Sequence, residues 1–283
     1  MEAIIIKLTA NQIVVDYEGQ QHSVFAPGKW KYQNIVLRPG DRVRLSYVNN
    51  AYQITDLIAR KNVLDKPKVA NIDNLIILQS LIDPVLNWKS LIKTFAFYEY
   101  QLGIRPILVI TKTDLVTMDD SMQEHINDLK QLGYQIFNKH LQTDFDHLKE
   151  LLVNKISCFV GQSGVGKSTI MNDFDPNFAR EFGAVSKKLK RGKNTTTQTE
   201  LLPFCNGYII DTPGYSKFHD NLTNEQLSEA FVDYKEWKLS CKFSNCLHQS
   251  ETGCHVIACV QNHHEPVWRY EFYLKMLADN NIK

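Results

Sequence analysis

"RPILVITKTD", residues 105–114, is an apolar run that ends in Thr-Lys-x-Asp, and "GQSGVGKS", residues 161–168, begins 47 positions after Asp114. Each reads as a buried strand delivering polar residues to a loop, because four to eight apolar residues bounded by turn formers suit a strand covered on both faces. The order of the two decides the architecture. Here the Asp-bearing loop precedes the glycine-rich one.

Around them, strands alternate with helices. "LIIL" from Leu75 precedes an apolar-periodic helix over residues 87–102, "PILVIT" precedes a polar helix near 119–132, and "YQIF" precedes "DFDHLKELLVN". Then come "ISCFVG", a helix opening at Gly166, "ELLPF" and "YIIDT". This alternation implies an α/β fold, a mainly parallel sheet with helices on both faces and ligand loops at the carboxyl ends of its strands. "FAFYEY", residues 95–100, follows the helical period and reads as core. Upstream, residues 2–58 hold five short β-rich runs separated by turn formers, the pattern of a small antiparallel barrel. "IARKNVLDKPKVANIDN" reads as a polar linker leaving it. After Gly214 a helix, "NEQLSEAFVDYKEW", a Cys/His cluster and a last helix, "EPVWRYEFYLKMLAD", complete the chain.

A chain of 283 residues, 43% of them hydrophobic, suits about two domains with a small appendage. A net charge of +1 excludes a uniformly basic nucleic-acid coat. Lys7 interrupts the only apolar start, and no run of about 18 uncharged apolar residues follows. The expectation is a cytoplasmic protein without a membrane span, whose six cysteines are thiols or metal ligands rather than disulfides.

"GQSGVGKS" matches G-x-x-x-x-G-K-[ST] in a strand-loop-helix setting. Gly161, Gly164 and Gly166 let the backbone of Gly161, Gln162, Ser163, Gly164, Val165 and Gly166 turn its N–H groups toward phosphate oxygens. Lys167 adds a positive charge, Ser168 offers a Mg²⁺ ligand, and Thr169 continues into a helix whose positive end faces the same anion. A glycine-rich αβ turn without a ligand is the bland alternative. "DTPG", residues 211–214, supplies what that loop lacks: Asp211 for Mg²⁺ through water, and the Gly214 N–H for the γ-phosphate. Between them "KKLKRGKNTTTQT" is basic. A threonine there completes the Mg²⁺ shell, with Thr196 chosen and Thr195 and Thr197 left open; a solvated basic loop is the plain reading.

In "TKTD", Asp114 can accept guanine N1–H and N2–H₂ while Thr111 ends the strand and the Lys112 stem packs along the base. Adenine offers neither donor, and sites built this way discriminate by about 10⁴ to 10⁵. "CKFSNCLHQSETGC" sets Cys241, Cys246, His248 and Cys254 as C-x₄-C-x-H-x₅-C, the make-up of a closed structural Zn²⁺ site. Cys259 is a competing ligand, while Cys158 and Cys205 read as packing residues. His263 and His264 read as capping or surface groups at a helix start. Trp30, set among Lys29, Lys31, Arg38, Arg42 and Arg44, either stacks on a base or plugs the barrel.

Taken as residues 111–114, 161–168, 195–197 and 211–214, the motifs are similar to a GTPase domain cut after its γ-phosphate sensor and rejoined through its old termini. With the β-rich start and the Cys/His end, the chain resembles the ribosome small-subunit-dependent GTPases, the RsgA or YjeQ family. That resemblance implies an OB-fold RNA- and ribosome-binding domain (1–65), a circularly permuted P-loop GTPase domain (66–218) and a helical zinc-binding domain (219–283). It also implies GTP and GDP as ligands, a switch in late maturation of the 30S subunit through 16S rRNA contacts, release after hydrolysis, a monomer, and Cys254 rather than Cys259 as the fourth ligand. Two departures stand out. Tyr215 occupies the place of a water-orienting glutamine, which implies slow hydrolysis without the 30S subunit, and Asn194 stands where the family commonly has histidine, so its catalytic role with Lys167 and Thr196 rests on orienting water. Asn138 and Lys139 occupy the place of the loop that reads guanine O6 through backbone N–H groups. The rival functions are a GTPase acting on tRNA and a GTP-liganded zinc/OB RNA-binding module without hydrolysis.

Overall fold

The computed structural model describes residues 1–9, 12–175, 199–210 and 222–281. By packing, the chain divides into two units: Met1–Asn74, His147–Phe159 and Lys167–Pro213 form the first, and Leu75–Asp146, Val160–Gly166 and Gly214–Lys283 the second.

The first unit opens with β1 (Glu2–Leu8), β2 (Ile13–Tyr17), β3 (Gln20–Val24), β4 (Arg42–Val48) and β5 (Ala51–Leu57). They form an antiparallel sheet in the order β3-β2-β1-β4-β5. Phe25, just past β3, bridges Gln53 of β5, so the sheet curls back on itself around Ile5, Val15, Val43 and Ile54. Trp30, on the short helix α1 (Lys29–Tyr32), is 6% exposed and packs into that core. The tryptophan is the plug, not a stacking platform.

The expected polar linker is a hairpin instead. β6 (Val63–Asp65) and β7 (Lys68–Ala70) pair antiparallel and bury Leu64 and Val69. Their apolar residues are too few for a periodic signal, yet Ala70 lies against Gly40, where a Cβ would stand 2.0 Å from the Ala70 carbonyl oxygen. Arg38 binds the Leu64 carbonyl and the Asp65 carboxylate, at 2.7 and 2.6 Å, so it braces this hairpin and does not belong to a free basic patch. The same unit holds β11 (Ile156–Val160), parallel to β13 (Gly207–Ile210), with β12 (Leu201–Phe204) antiparallel to β13. Lys7 of β1 pairs with Glu200 beside β12 at 2.8 Å, which ties the curled sheet to that edge.

In the second unit β8 (Asn74–Ser80), β9 (Ile107–Thr111) and β10 (Ile136–Asn138) are parallel neighbours in the order β10-β9-β8. β9 is buried along its whole length, as its unbroken apolar run requires. Helix α2 (Trp88–Leu102) starts where the Asn87 side chain accepts the Ser90 N–H, ends at left-handed Gly103, and buries Phe95, Ala96 and Tyr98. α3 (Asp120–Gln131) is capped by Asp119. α4 (Gln142–Leu152) follows β10, and in the first unit α5 (Lys167–Phe174) follows β11 after the glycine-rich loop.

The segment expected as one helix after residue 222 is two: α6 (Asn224–Leu227) and α7 (Val232–Trp237). Phe231 is fully buried with extended backbone, and the next N–H, on Val232, donates to the Glu99 carboxylate at 2.9 Å. α8 (His255–Gln261) and α9 (Val267–Asn281) end the unit. His263 and His264 therefore follow a helix end, with His263 in the left-handed region at φ 58°, rather than opening one. No described helix is long and apolar enough to cross a membrane.

Candidate functional site

The glycine-rich loop and the Thr-Lys-x-Asp segment meet in the second unit. Thr111, last residue of β9 and 2% exposed, donates its hydroxyl to the Val165 carbonyl at 2.7 Å. Gly166, at φ 100°, brings its α-carbon against the Thr111 side chain: a Cβ there would sit 3.7 Å from Thr111 Cγ2. Gly161 passes so near β8 that a Cβ would lie 2.9 Å from the Leu78 carbonyl oxygen and 2.9 Å from Val165 Cγ1. Gly164, at φ 81°, faces open space. Gln162, Ser163 and Gly164 are exposed while Val165 is buried, so Val165 anchors a loop whose crest is open. The chain then enters α5, whose first turn carries Lys167, Ser168 and Thr169.

Lys112 turns the chain out of β9 in the left-handed region, φ 58°, and its ammonium donates to the carbonyls of Ile82 and Asp83. Thr113 donates to the Asn138 side chain at 2.6 Å. The Asp114 carboxylate is half exposed and receives His140 Nε2 at 2.9 Å. Of the pair expected to read a base through backbone N–H groups, Asn138 donates to Asp144 at 2.7 Å and Lys139 to the Ile110 carbonyl at 3.0 Å. Thr113 and His140 are the site residues that sequence reasoning missed. Neither has a motif spacing: each arrives because β10 lies beside β9 in parallel register.

Asn194, Thr195, Thr196, Thr197, Asp211, Gly214 and Tyr215 lie outside the described residues, as does the basic stretch before the threonines. Cys158, on β11, is fully buried, and burial pushes its thiol up to about 12 despite Lys167. It is a packing residue.

Cys241, Cys246, His248 and Cys254 converge: their ligand atoms all lie within 4.8 Å of one another. Cys259 is not among them. His248 Nε2 lies 3.1 Å from the Ser228 carbonyl, which can only accept, so Nε2 carries the proton. Its Nδ1 lone pair then faces Cys254 Sγ at 3.3 Å and Cys241 Sγ at 3.7 Å. Backbone N–H groups of His255 and Ile257 point at the sulfurs of Cys241 and Cys254. The Glu251 carboxylate, against the cost of its burial, accepts N–H bonds from Leu247, Gln249 and Ser250, which hold its pKa down at about 2 and shape the ligand loop. Three thiols and one oriented imidazole are a donor set that suits a soft divalent cation.

A family model described as "RsgA GTPase" matches residues 57–221. The chain belongs to the RsgA GTPase family. "Small ribosomal subunit biogenesis GTPase RsgA" of Mycoplasmoides gallisepticum is 41% identical over 257 residues, covering 90% of this chain and 93% of that protein. The protein of the same name from Mycoplasma genitalium is 38% identical, with 97% of both covered. Among solved structures, YjeQ from Thermotoga maritima superposes with a TM-score of 0.78 at 29% identity over 100% of this chain and 99% of that one. YloQ, described as a circularly permuted GTPase, superposes at 0.77 and 26% over 99% and 94%. The motif order read from the sequence is that of a permuted RsgA-family GTPase.

Proposed function

We propose that this RsgA-family chain hydrolyses GTP as a switch in biogenesis of the small ribosomal subunit. The observation that carries the reading is the Thr111–Val165 bond, which brings the guanine-type strand end and the phosphate-type loop together although the chain presents them in inverted order. Asp114 reads the guanine edge. The N–H groups of residues 161–166 and the first turn of α5 hold the phosphates, with Lys167 the charge that stabilises the transferring group. Ser168, Thr196 and Asp211 would hold Mg²⁺, which would supply positive charge beside the phosphates. Thr196 and Gly214 sense the γ-phosphate, and Asn194 orients water, a weaker role than proton transfer.

Zn²⁺ is the cation for Cys241, Cys246, His248 and Cys254, a closed set with no position left for substrate. The curled N-terminal sheet acts as an OB-fold, residues 1–65, that engages rRNA; residues 66–218 are the GTPase domain and 219–283 the zinc domain. Lys7–Glu200 supports coupling between the first two, because the chain passes from β12 into β13, which runs directly into Asp211. We read the working form as a cytoplasmic monomer that leaves the 30S subunit after hydrolysis.

Phosphate release from GTP is measured with purified 30S subunits, with tRNA, or with neither, and Lys167→Ala as the blank. Stimulation of the order of 10³-fold or more by 30S subunits alone is expected, given that completing a GTPase site from outside yields up to about 10⁵-fold. Stimulation by tRNA alone, or binding without release, overturns it in favour of another RNA or a non-hydrolysing module.

A further inference from the structure

We propose that the His140 imidazole reads guanine O6, an inference that rests on Asp114 being the guanine-binding carboxylate. Guanine presents N2–H₂, N1–H and O6 side by side, so a site that captures the first two with a carboxylate needs a donor beside that carboxylate for the third. Backbone N–H groups are the usual candidates, and at Asn138 and Lys139 both are engaged by protein acceptors, the Asp144 carboxylate and the Ile110 carbonyl, at 2.7 and 3.0 Å. The His140 N–H donates to Asn138 Oδ1 at 3.0 Å.

His140 Nε2 lies 2.9 Å from Asp114 Oδ1. An ionised carboxylate only accepts, so this nitrogen carries a proton. When guanine docks, its N1–H takes Oδ1 and releases the Nε2–H, and the base edge delivers O6 next to the released donor. One hydrogen bond is exchanged for another, and no polar group is stranded. Adenine reverses both terms. It brings no N1 hydrogen for the carboxylate and places an amino donor where O6 would be, against the imidazole N–H, so His140 adds to the discrimination supplied by Asp114. The ring is 37% exposed and the carboxylate 49%, so a base can reach both.

The test uses the whole chain and two ligands that differ at one atom, GDP and 6-thio-GDP, in which a weakly accepting sulfur replaces O6. Calorimetry is run on the wild type, His140→Ala and His140→Gln. His140→Ala should weaken GDP by about 2- to 10-fold, the range of one net hydrogen bond, and 6-thio-GDP by less than about 2-fold. His140→Gln, whose amide still donates, should keep most of the preference for GDP. Equal weakening of both ligands marks a merely structural role and overturns the proposal. So does tighter binding by His140→Ala, which would make the histidine a competitor for Asp114, and so does no change. Asp114→Asn separates the premise: failure to shift preference from guanine to xanthine nucleotides defeats the reading of Asp114 itself, whatever His140 does.

Discussion

The Thr111 hydroxyl donates to the Val165 carbonyl across 2.7 Å, joining residues 54 apart in the chain at the point where β9 meets the glycine-rich loop. Both residues are buried, so the bond is shielded from competing water. It makes the geometry of the phosphate-type loop depend on the strand whose end leads to Asp114, and permutation leaves that dependence intact because it is spatial. Thr111→Val keeps the shape and strands the Val165 carbonyl. The expected cost is about 1–3 kcal/mol in urea unfolding, with weaker GDP binding by calorimetry, whereas Thr111→Ser stays near wild type. Wild-type values for Thr111→Val in both measurements would show that the bond does not matter.

The loop was legible in the sequence because its demands are local. Gly166 needs φ near 100° and Gly161 has no room for a Cβ, and both requirements print as glycine. The Cys/His cluster was legible for the same reason, since four ligands fall within one short stretch. What escaped depends on distant partners. The break between α6 and α7 follows from Glu99, 133 residues away, capping Val232. His140 and Thr113 enter the site through the register of β9 and β10, which no spacing records.

Gly161 and Gly164 make a paired test of that local logic. A Cβ at Gly161 would press on the Leu78 backbone carbonyl, which cannot move without disturbing β8, whereas at Gly164 the cost is conformational, from φ 81° alone. Gly161→Ala should destabilise by about 1–3 kcal/mol and impair GDP binding, and Gly164→Ala by about 1 kcal/mol. Urea titration of the two variants gives the order; a reversed order would mean that the loop adapts at Gly161.

Native mass spectrometry should find one Zn²⁺ per chain, absent in Cys246→Ala. Because Cys241, Cys246, His248 and Cys254 converge from the loop before α8 and from its N-cap, removing the ion leaves three thiols and an imidazole crowded within 4.8 Å without the bonds that draw them together. Chelation should therefore lower the thermal midpoint by several degrees, on the scale expected when a bound ion contributes folding free energy. The measurement is differential scanning calorimetry with and without excess chelator, re-addition of Zn²⁺ restoring the midpoint. A midpoint indifferent to chelator, with zinc shown to be gone, would contradict a structural role.

Arg269 is fully buried among Asp233, Glu265 and the ring of Phe231, its guanidinium carbon 4.2 Å from the ring centroid. Two carboxyl groups in this cluster sit high: burial raises Glu99 to about 7 against the pull of Arg269, and raises Glu265 to about 7 likewise. In the unfolded chain a glutamate titrates near pH 4.3. Between roughly pH 4.5 and 7, the folded protein thus holds protons that the unfolded chain has released, and the sign of the linkage makes stability fall as pH rises through that window. Glutamine mimics the protonated form at every pH. The stability of Glu99→Gln relative to wild type should accordingly increase between pH 5 and pH 8, by up to about 3 kcal/mol for a shift of this size. Urea midpoints at the two pH values test it. Parallel profiles for wild type and variant would mean that Glu99 is ionised throughout, and that Arg269 outweighs its burial.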